Sequence, residues 1–359
     1  MNKRPTISDV AALAGVHKAT ASRALNPATQ GLVNSVTARR VRQAAEQLGF
    51  TPNSAARSLR TNRSSTVGVL IPDLTNPLFP PVVRGIEEAL SARGYTALLA
   101  NTDNDEAKER DRFEALRGRQ VDGFIVATAR REHTLLDRAR SAGVPIVLVN
   151  RRTDGSLFPW VAGDDAAGTA LAVGHLTGLG HRALGCLSGP QSMSTGVIRA
   201  RAFRAAAEAA GLAPEATPVV VCDAYAVAAG ERATHEVLDR WPGTTAICAG
   251  NDLIALGALH AARARGLRCP EDLSLVGFND IQFADEFRPP LTTVHVPHLE
   301  LGAEAARLLL ERLDAGERGR GGDGAGERDP SAPVAKTVLL PVHLVVRAST
   351  APPRPGAAA

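Results

Sequence analysis

Residues 6–26 read TISDVAALAGVHKATASRALN. Thr6 and Asp9 stand at capping-box spacing, in which a hydroxyl and a carboxylate satisfy amide donors at a helix start, so a first helix is expected over residues 7–14. Gly15 supplies the permissive backbone for a tight turn between crossing helices. A second helix is expected over 17–25, with Val16 packed into the angle. On it Ala21, Ala24 and Leu25 turn inward beside Thr20, while Lys18, Ala19, Ser22 and Arg23 share the other face. Small and basic residues on one face of a short helix suit insertion into a DNA major groove, where arginine bonds both acceptors of guanine. Taken alone, the same face also fits a plain solvated helix.

The charge distribution sharpens this reading. The chain has 359 residues and a net charge of +4. Through residue 63 there are ten basic residues (Lys3, Arg4, Lys18, Arg23, Arg39, Arg40, Arg42, Arg57, Arg60, Arg63) and two acidic ones (Asp9, Glu46), a balance of +8 that leaves −4 for the remainder. A basic head on a mildly acidic body points to a polyanion as the partner of the head alone. The length suits two or three domains. No apolar run approaches the roughly 18 residues of a membrane span, and MNKRPTISDV has no apolar signal core, so a cytoplasmic protein without a membrane partner is expected. Cys186, Cys222, Cys248 and Cys269 are scattered, which argues against a zinc site or a disulfide framework; buried thiols are expected, with no metal and no cofactor.

The stretch 6–26 closely resembles the N-terminus of the lactose-repressor (LacI/GalR) family of transcriptional regulators. By that resemblance Lys18, Ala19 and Arg23 read bases, Thr20 and Ser22 touch phosphate, and Thr6, His17 and Asn26 join the DNA-binding set. His17 stands where the family has a capping serine, and Ala21 replaces a core valine. Loss of a cap costs on the order of 1 kcal/mol, so a looser second helix is expected, with His17 either contacting phosphate or simply tolerated. A third helix is expected from Asn34 or Ser35 through Leu48, after a loop, PATQGLV, about two residues longer than usual in the family. FTPNSAARSLRTNRS (50–64) resembles the family's hinge signature. Pro52 stops the preceding helix and Asn53 caps a short new one. Leu59, apolar within a basic linker, suits a wedge in a minor-groove base step. The resemblance adds Asn53, Ala56 and Arg57 to the DNA contacts and implies a homodimer on a palindromic double-stranded operator. The alternative for this stretch is a plain linker.

From Thr66 onward the pattern changes to short apolar runs: VGVLI (67–71), TALLA (96–100), GFIVA (123–127), PIVLV (145–149), LGCLS (184–188), PVVVC (218–222), TAICA (245–249) and LSLVGF (273–278). Apolar strands separated by amphipathic helices indicate parallel sheets covered on both faces, and their number favours two lobes. The expected architecture is therefore α/β: a helix-turn-helix head over 1–52, a hinge over 53–63, and a two-lobed body of the periplasmic-binding-protein type over 64–359. Within the body, the glycine- and charge-rich stretch 314–333 is expected as a disordered insertion. The tail APPRPGAAA lacks a leucine heptad, so a dimer and not a coiled-coil tetramer is expected.

In doubly wound sheets ligands bind outside the carboxyl ends of the strands. Asp73, Asn150, Asn251 and the pair Asn279/Asp280 lie at such ends, with Arg199 and Tyr225 as further candidates. These groups suit a hydroxyl-rich molecule such as a sugar, although any of the Asx residues could simply form a turn. The family resemblance covers nearly the whole chain, and it assigns Asp73, Phe79, Asn150, Arg199, Tyr225, Asn251 and either Asn279 or Asp280 to effector contact. No nucleophile with its base, metal cluster or phosphate loop stands out, and adjacent Asp164 and Asp165 do not converge as catalytic carboxylates would, so no enzyme is expected. The expected function is a DNA-binding regulator, a repressor of sugar-metabolism genes controlled by a carbohydrate in the interlobe cleft. The alternatives are a transport solute-binding protein, which would need an export signal and no +8 head, and a regulator requiring a purine-type corepressor.

Overall fold

A computed structural model describes residues 5–26, 29–50, 63–320 and 335–354, the side chains of Ser156 and of 316–320 excepted. The chain divides into two compact units, Met1–Ser64 and Ser65–Ala359. The expected hinge contacts Asn53, Ala56, Arg57 and Leu59 lie outside the described residues.

In the first unit, α1 (Ile7–Leu13), α2 (Lys18–Leu25) and α3 (Ser35–Gln47) enclose a core whose buried members are Val10, Ala11, Ala14, Ala21, Ala24, Ala38, Val41, Ala44 and Ala45. Alanine dominates, so the helices meet with little side chain between them. Gly15 adopts φ +60°, and its amide reaches the Ala12 carbonyl at 3.1 Å while the Val16 amide reaches that of Ala11 at 3.0 Å. This left-handed closure turns α1 into α2 without strain because glycine has no Cβ. Asn34 starts α3 by accepting from the Val36 amide at 2.9 Å.

The second unit contains two six-stranded sheets. β1 (Thr66–Ile71), β2 (Thr96–Asn101), β3 (Gly123–Val126), β4 (Ile146–Val149), β5 (Trp160–Gly163) and β11 (Thr337–Leu340) form one, in the order β11-β5-β4-β3-β1-β2. β6 (Leu184–Ser188), β7 (Val219–Val221), β8 (Ala246–Ala249), β9 (Ser274–Asn279), β10 (Thr292–His295) and β12 (His343–Val345) form the other, in the order β12-β10-β9-β8-β6-β7. The orders are the same once β6 is matched to β1, β7 to β2 and so on, so the lobes repeat one topology. All pairs are parallel except β10 with β12. The helices are α4 (Phe79–Ser91), α5 (Glu106–Gly118), α6 (Thr134–Ser141), α7 (Asp165–Gly178), α8 (Ser194–Ala209), α9 (Val227–Arg240), α10 (Asp252–Ala264) and α11 (His298–Arg320). Because α11 runs through Arg320, and Asp314 on it pairs with Arg93 at 2.8 Å, the first part of the stretch expected as an insertion is helical. Residues 321–334 lie outside those described.

The chain passes between lobes three times: after β5, after β10, and between β11 and β12. These passages touch one another. A Cβ at Gly163 would lie 3.1 Å from both the Val296 and Val342 side chains, so glycine is what lets the three crossings sit side by side.

Helices on the outer layers also meet backbone to backbone. A Cβ on Gly302 of α11 would stand 2.0 Å from the Val82 carbonyl of α4, and one on Gly85 of α4 would stand 2.0 Å from the Leu299 carbonyl. Overpacking against backbone that cannot rotate away costs about 1–3 kcal/mol or more. Gly302→Ala is therefore expected to lower Tm by roughly 4 °C or more. Gly174→Ala, on an exposed turn of α7 with no neighbour within 4 Å, should instead stabilise by about 0.5–1 kcal/mol. Calorimetry of the two variants beside the parent checks both signs.

Candidate functional site

In the head, α2 presents Lys18, Ala19 and Arg23 to solvent, with Ser22 and Thr20 half-buried and Ala21 and Ala24 inside. The 3.6-residue period accounts for this division: the inward set is small enough to pack on α1 and α3, which leaves the basic set outward. Among the described residues, neither Lys18 nor Arg23 has an ion-pair partner. The Thr6 amide and hydroxyl both donate to Asp9 Oδ2 at 2.7 Å, so Thr6 is engaged at the start of α1. The backbone of Asn26 closes α2, its amide donating to the Arg23 carbonyl at 3.3 Å.

The expectation of a missing cap on α2 is corrected. His17 Nδ1 accepts from the Ala19 amide at 3.3 Å, doing with a ring nitrogen what a serine oxygen does elsewhere. The bond requires Nδ1 to be the unprotonated nitrogen, which places the ring proton on Nε2.

In the body, the carboxyl ends of the two sheets border a cleft lined by Asn76, Leu78, Phe79, Asn150, Arg151, Thr195, Arg199, Tyr225, Asn251 and Asn279. Six of the residues expected there are brought together: Phe79, Asn150, Arg199, Tyr225, Asn251 and Asn279. Asp73 and Asp280 are not in the lining. Asp73 Oδ1 accepts from the Thr75 amide and hydroxyl at 2.8 and 2.7 Å, a local turn. Asp280 binds Arg347 at 2.8 Å and His295 Nδ1 at 3.0 Å, which ties the end of β9 to the strand arriving after the last crossing.

Each lining group is placed by a specific local feature. Asn150 and Asn279 end the topologically matched strands β4 and β9, and both have positive φ, +66° and +116°. Asparagine tolerates this region better than most residues, and such backbone turns the side chain out of the strand direction. Tyr225 donates to or accepts from Thr195 at 2.8 Å and lies where a Cβ on Gly189 would be 2.2 Å from its ring. Arg199 is held on all sides: its Nε and Nη2 reach Asp165 Oδ1 at 2.9 and 2.7 Å, its Nη1 donates to the Gly250 carbonyl at 2.5 Å, and its guanidinium lies 3.6 Å from the Phe278 ring centroid. Burial pushes the Asp165 carboxyl up, opposed by Arg199. Sequence reasoning missed Asn76, Leu78, Arg151 and Thr195. Arg151 follows Asn150 at a strand end, so position alone was a signal for it; Asn76 sits in the loop before α4 and Thr195 at the start of α8, and only the folded chain aims them at the cleft.

Asp252, wholly buried beside Asn251, accepts from the Ile281 amide at 2.8 Å and the Thr293 hydroxyl at 2.5 Å, fixing the loop that follows Asn279. Burial pushes its carboxyl up to about 7.

Two predictions follow from these contacts. His17→Ala should remove the α2 cap, worth about 1 kcal/mol, and speed hydrogen exchange of segment 17–25 about fivefold, with His17→Ser restoring protection. The second concerns pH. An unfolded aspartate titrates near 4, so the folded form of Asp252 holds its proton more tightly. Stability from this group is present below pH ~4 and lost as pH rises toward 7. Asp252→Asn removes that loss, so its Tm relative to the parent should climb between pH 5 and 8, by the equivalent of on the order of 2 kcal/mol. A pH-independent difference would contradict this.

Comparison with known proteins agrees with the geometry. Residues 6–53 match the bacterial regulatory proteins of the lacI family, and residues 173–350 match the periplasmic binding protein-like domain. The HTH-type transcriptional regulator DegA of Bacillus subtilis is 34% identical, over 97% of this chain and 99% of its own. A solved complex of the transcriptional regulator CelR with cellobiose is 33% identical, with a TM-score of 0.70 over 96% of this chain and all of that one. The lac repressor dimer bound to operator and an anti-inducer is 26% identical, with a TM-score of 0.81 over 97% of this chain and all of that one. A helix-turn-helix head with an exposed basic helix face, joined to a two-lobed body with a lined cleft, thus has relatives along nearly its full length, and the chain belongs to the lacI family of bacterial transcriptional regulators.

Proposed function

We propose that the protein represses its target genes as a homodimer on a palindromic operator, and that a carbohydrate in the interlobe cleft controls that binding. The observation that carries the reading is the cleft itself: amide, hydroxyl and guanidinium groups converge at the carboxyl ends of two sheets whose three connecting passages meet at Gly163. Such a joint lets the lobes change angle around a ligand. A relative of this chain is a cellobiose complex, which supports a sugar as the ligand class.

In this reading Lys18 and Arg23 contact base edges, with Ala19 beside them; Thr20, Ser22, Thr6, His17 and Asn26 approach phosphate; and Asn53, Ala56, Arg57 and Leu59 form the hinge contact at the operator centre. The head is residues 1–52, the hinge 53–63 and the effector body 64–359. The protein acts by binding and not by catalysis, in the cytoplasm where its operator is. No helix among the described residues is long and apolar enough to cross a membrane.

Selection of bound sequences from random duplexes, at fixed salt because phosphate contacts alone mimic affinity, tests the reading. A palindrome of about 14–20 base pairs should be recovered. Arg23→Ala should weaken operator binding by about 5- to 150-fold, the equivalent of 1–3 kcal/mol, and relax preference at one base pair per half-site. Unenriched sequence from the parent, or full specificity in the variant, would count against it.

A further inference from the structure

The charges around the cleft do not balance. Arg199 is neutralised by Asp165. Below the first lobe's strand ends, Glu109 is buried and already shared by Arg130 and His133, each at 3.4 Å. Arg151 is 5% exposed and no carboxylate pairs with it among the described residues: its Nη1 reaches the Asn104 side-chain oxygen at 3.4 Å, its guanidinium lies 6.0 Å from the Tyr225 ring centroid, and its Nε, although buried, has no hydrogen-bond partner. A buried cation with no counter-charge costs several kcal/mol, and groups kept in that condition cluster where a ligand supplies what is missing.

The rest of the lining points the same way. It contains four asparagines and no carboxylate. Asn76 and Asn251 have each committed their side-chain oxygen to a backbone amide, of Leu78 at 3.1 Å and of Ile254 at 2.9 Å, so what each can turn toward a ligand is its amide nitrogen. The buried acceptor without a partner in the lining is Asn279 Oδ1. Donors therefore predominate over acceptors, and positive charge over negative. A neutral polyol, which donates as often as it accepts, is a poor match for this set.

We infer that the effector is a hydroxylated anion, a sugar acid or sugar phosphate, whose carboxylate or phosphate is met by the Arg151 guanidinium while a hydroxyl donates to Asn279 Oδ1. The inference rests on the reading of the cleft as a carbohydrate site and adds the charge of the ligand to it. Guanidinium suits the role because its fork of N–H groups matches the oxygens of either anion.

Calorimetric titration of the full-length protein with matched sets at constant ionic strength tests this: glucose with glucuronate and glucose 6-phosphate, ribose with ribonate and ribose 5-phosphate, and cellobiose with cellobionate. In at least one set an acidic member should bind at least about tenfold more tightly than its neutral counterpart. Arg151→Gln should abolish the preference, Arg151→Lys, which keeps the charge but not the fork, should narrow it, and Asn279→Ala should weaken neutral and acidic members by similar factors. Neutral sugars binding as well as their acids, or a preference that survives in both Arg151 variants, would overturn the inference and leave the carbohydrate cleft standing. Absence of binding by every member, or binding indifferent to Asn279→Ala, would overturn the cleft reading and this inference together. If Arg151→Gln fails to fold, the narrowing in Arg151→Lys carries the comparison.

Discussion

The buried ion pair between Arg199 and Asp165 is the contact on which the body's architecture turns. Asp165 opens α7 two residues after Gly163, where the three passages between lobes touch. Arg199 lies on α8 and lines the cleft. One salt bridge therefore joins the start of the helix after the crossings to the lining of the cleft. Losing either partner would leave the other as an uncompensated buried charge, a cost of about 3–5 kcal/mol, so the pair specifies this arrangement even if its net contribution to stability is small. The carbonyl of Gly250 and the ring of Phe278 complete the enclosure of the guanidinium.

Internal repetition shapes the site as well. The two sheets share a strand order, and Asn150 and Asn279 occupy matched strand ends with left-handed backbone. Strain of this kind persists where the surrounding structure over-determines it, and it clusters at ligand clamps. The lobes differ in what lies behind those asparagines: Asp252 anchors the loop after Asn279, whereas the residue after Asn150 is Arg151. A repeated scaffold thus carries an asymmetric charge.

The head solves a different problem. With a core built mainly of alanine, it buries little apolar area per residue, and capping contacts contribute a larger share of its order. Asp9 on Thr6, Asn34 on Val36 and the unusual His17 on Ala19 serve that need, and none of them uses Lys18 or Arg23.

Much of this was legible in the linear chain, because the signals are local. Helical spacing separates Ala21 and Ala24 from Lys18 and Arg23, apolar runs mark the eight strands first expected, and residues at strand carboxyl ends are marked by chain position. Less local features were not. β5 (Trp160–Gly163) and β10 (Thr292–His295) are four-residue strands with no long apolar run to mark them, β10 opening on two threonines, and the stretch around Asp314 reads as flexible until Arg93 is found beside it. The histidine cap depends on ring orientation. The pairing of Asp165 with Arg199, the isolation of Arg151 and the aim of Asn76 and Thr195 depend on distances between segments 30 to more than 100 residues apart. The sequence by itself determined the family, the exposed basic face of α2 and the α/β body, because periodicity, capping and charge act over a few residues. Only the tertiary structure decided which charges in the cleft are neutralised and which is left without a counter-charge among the described residues, because burial and pairing belong to residues that meet when the chain folds.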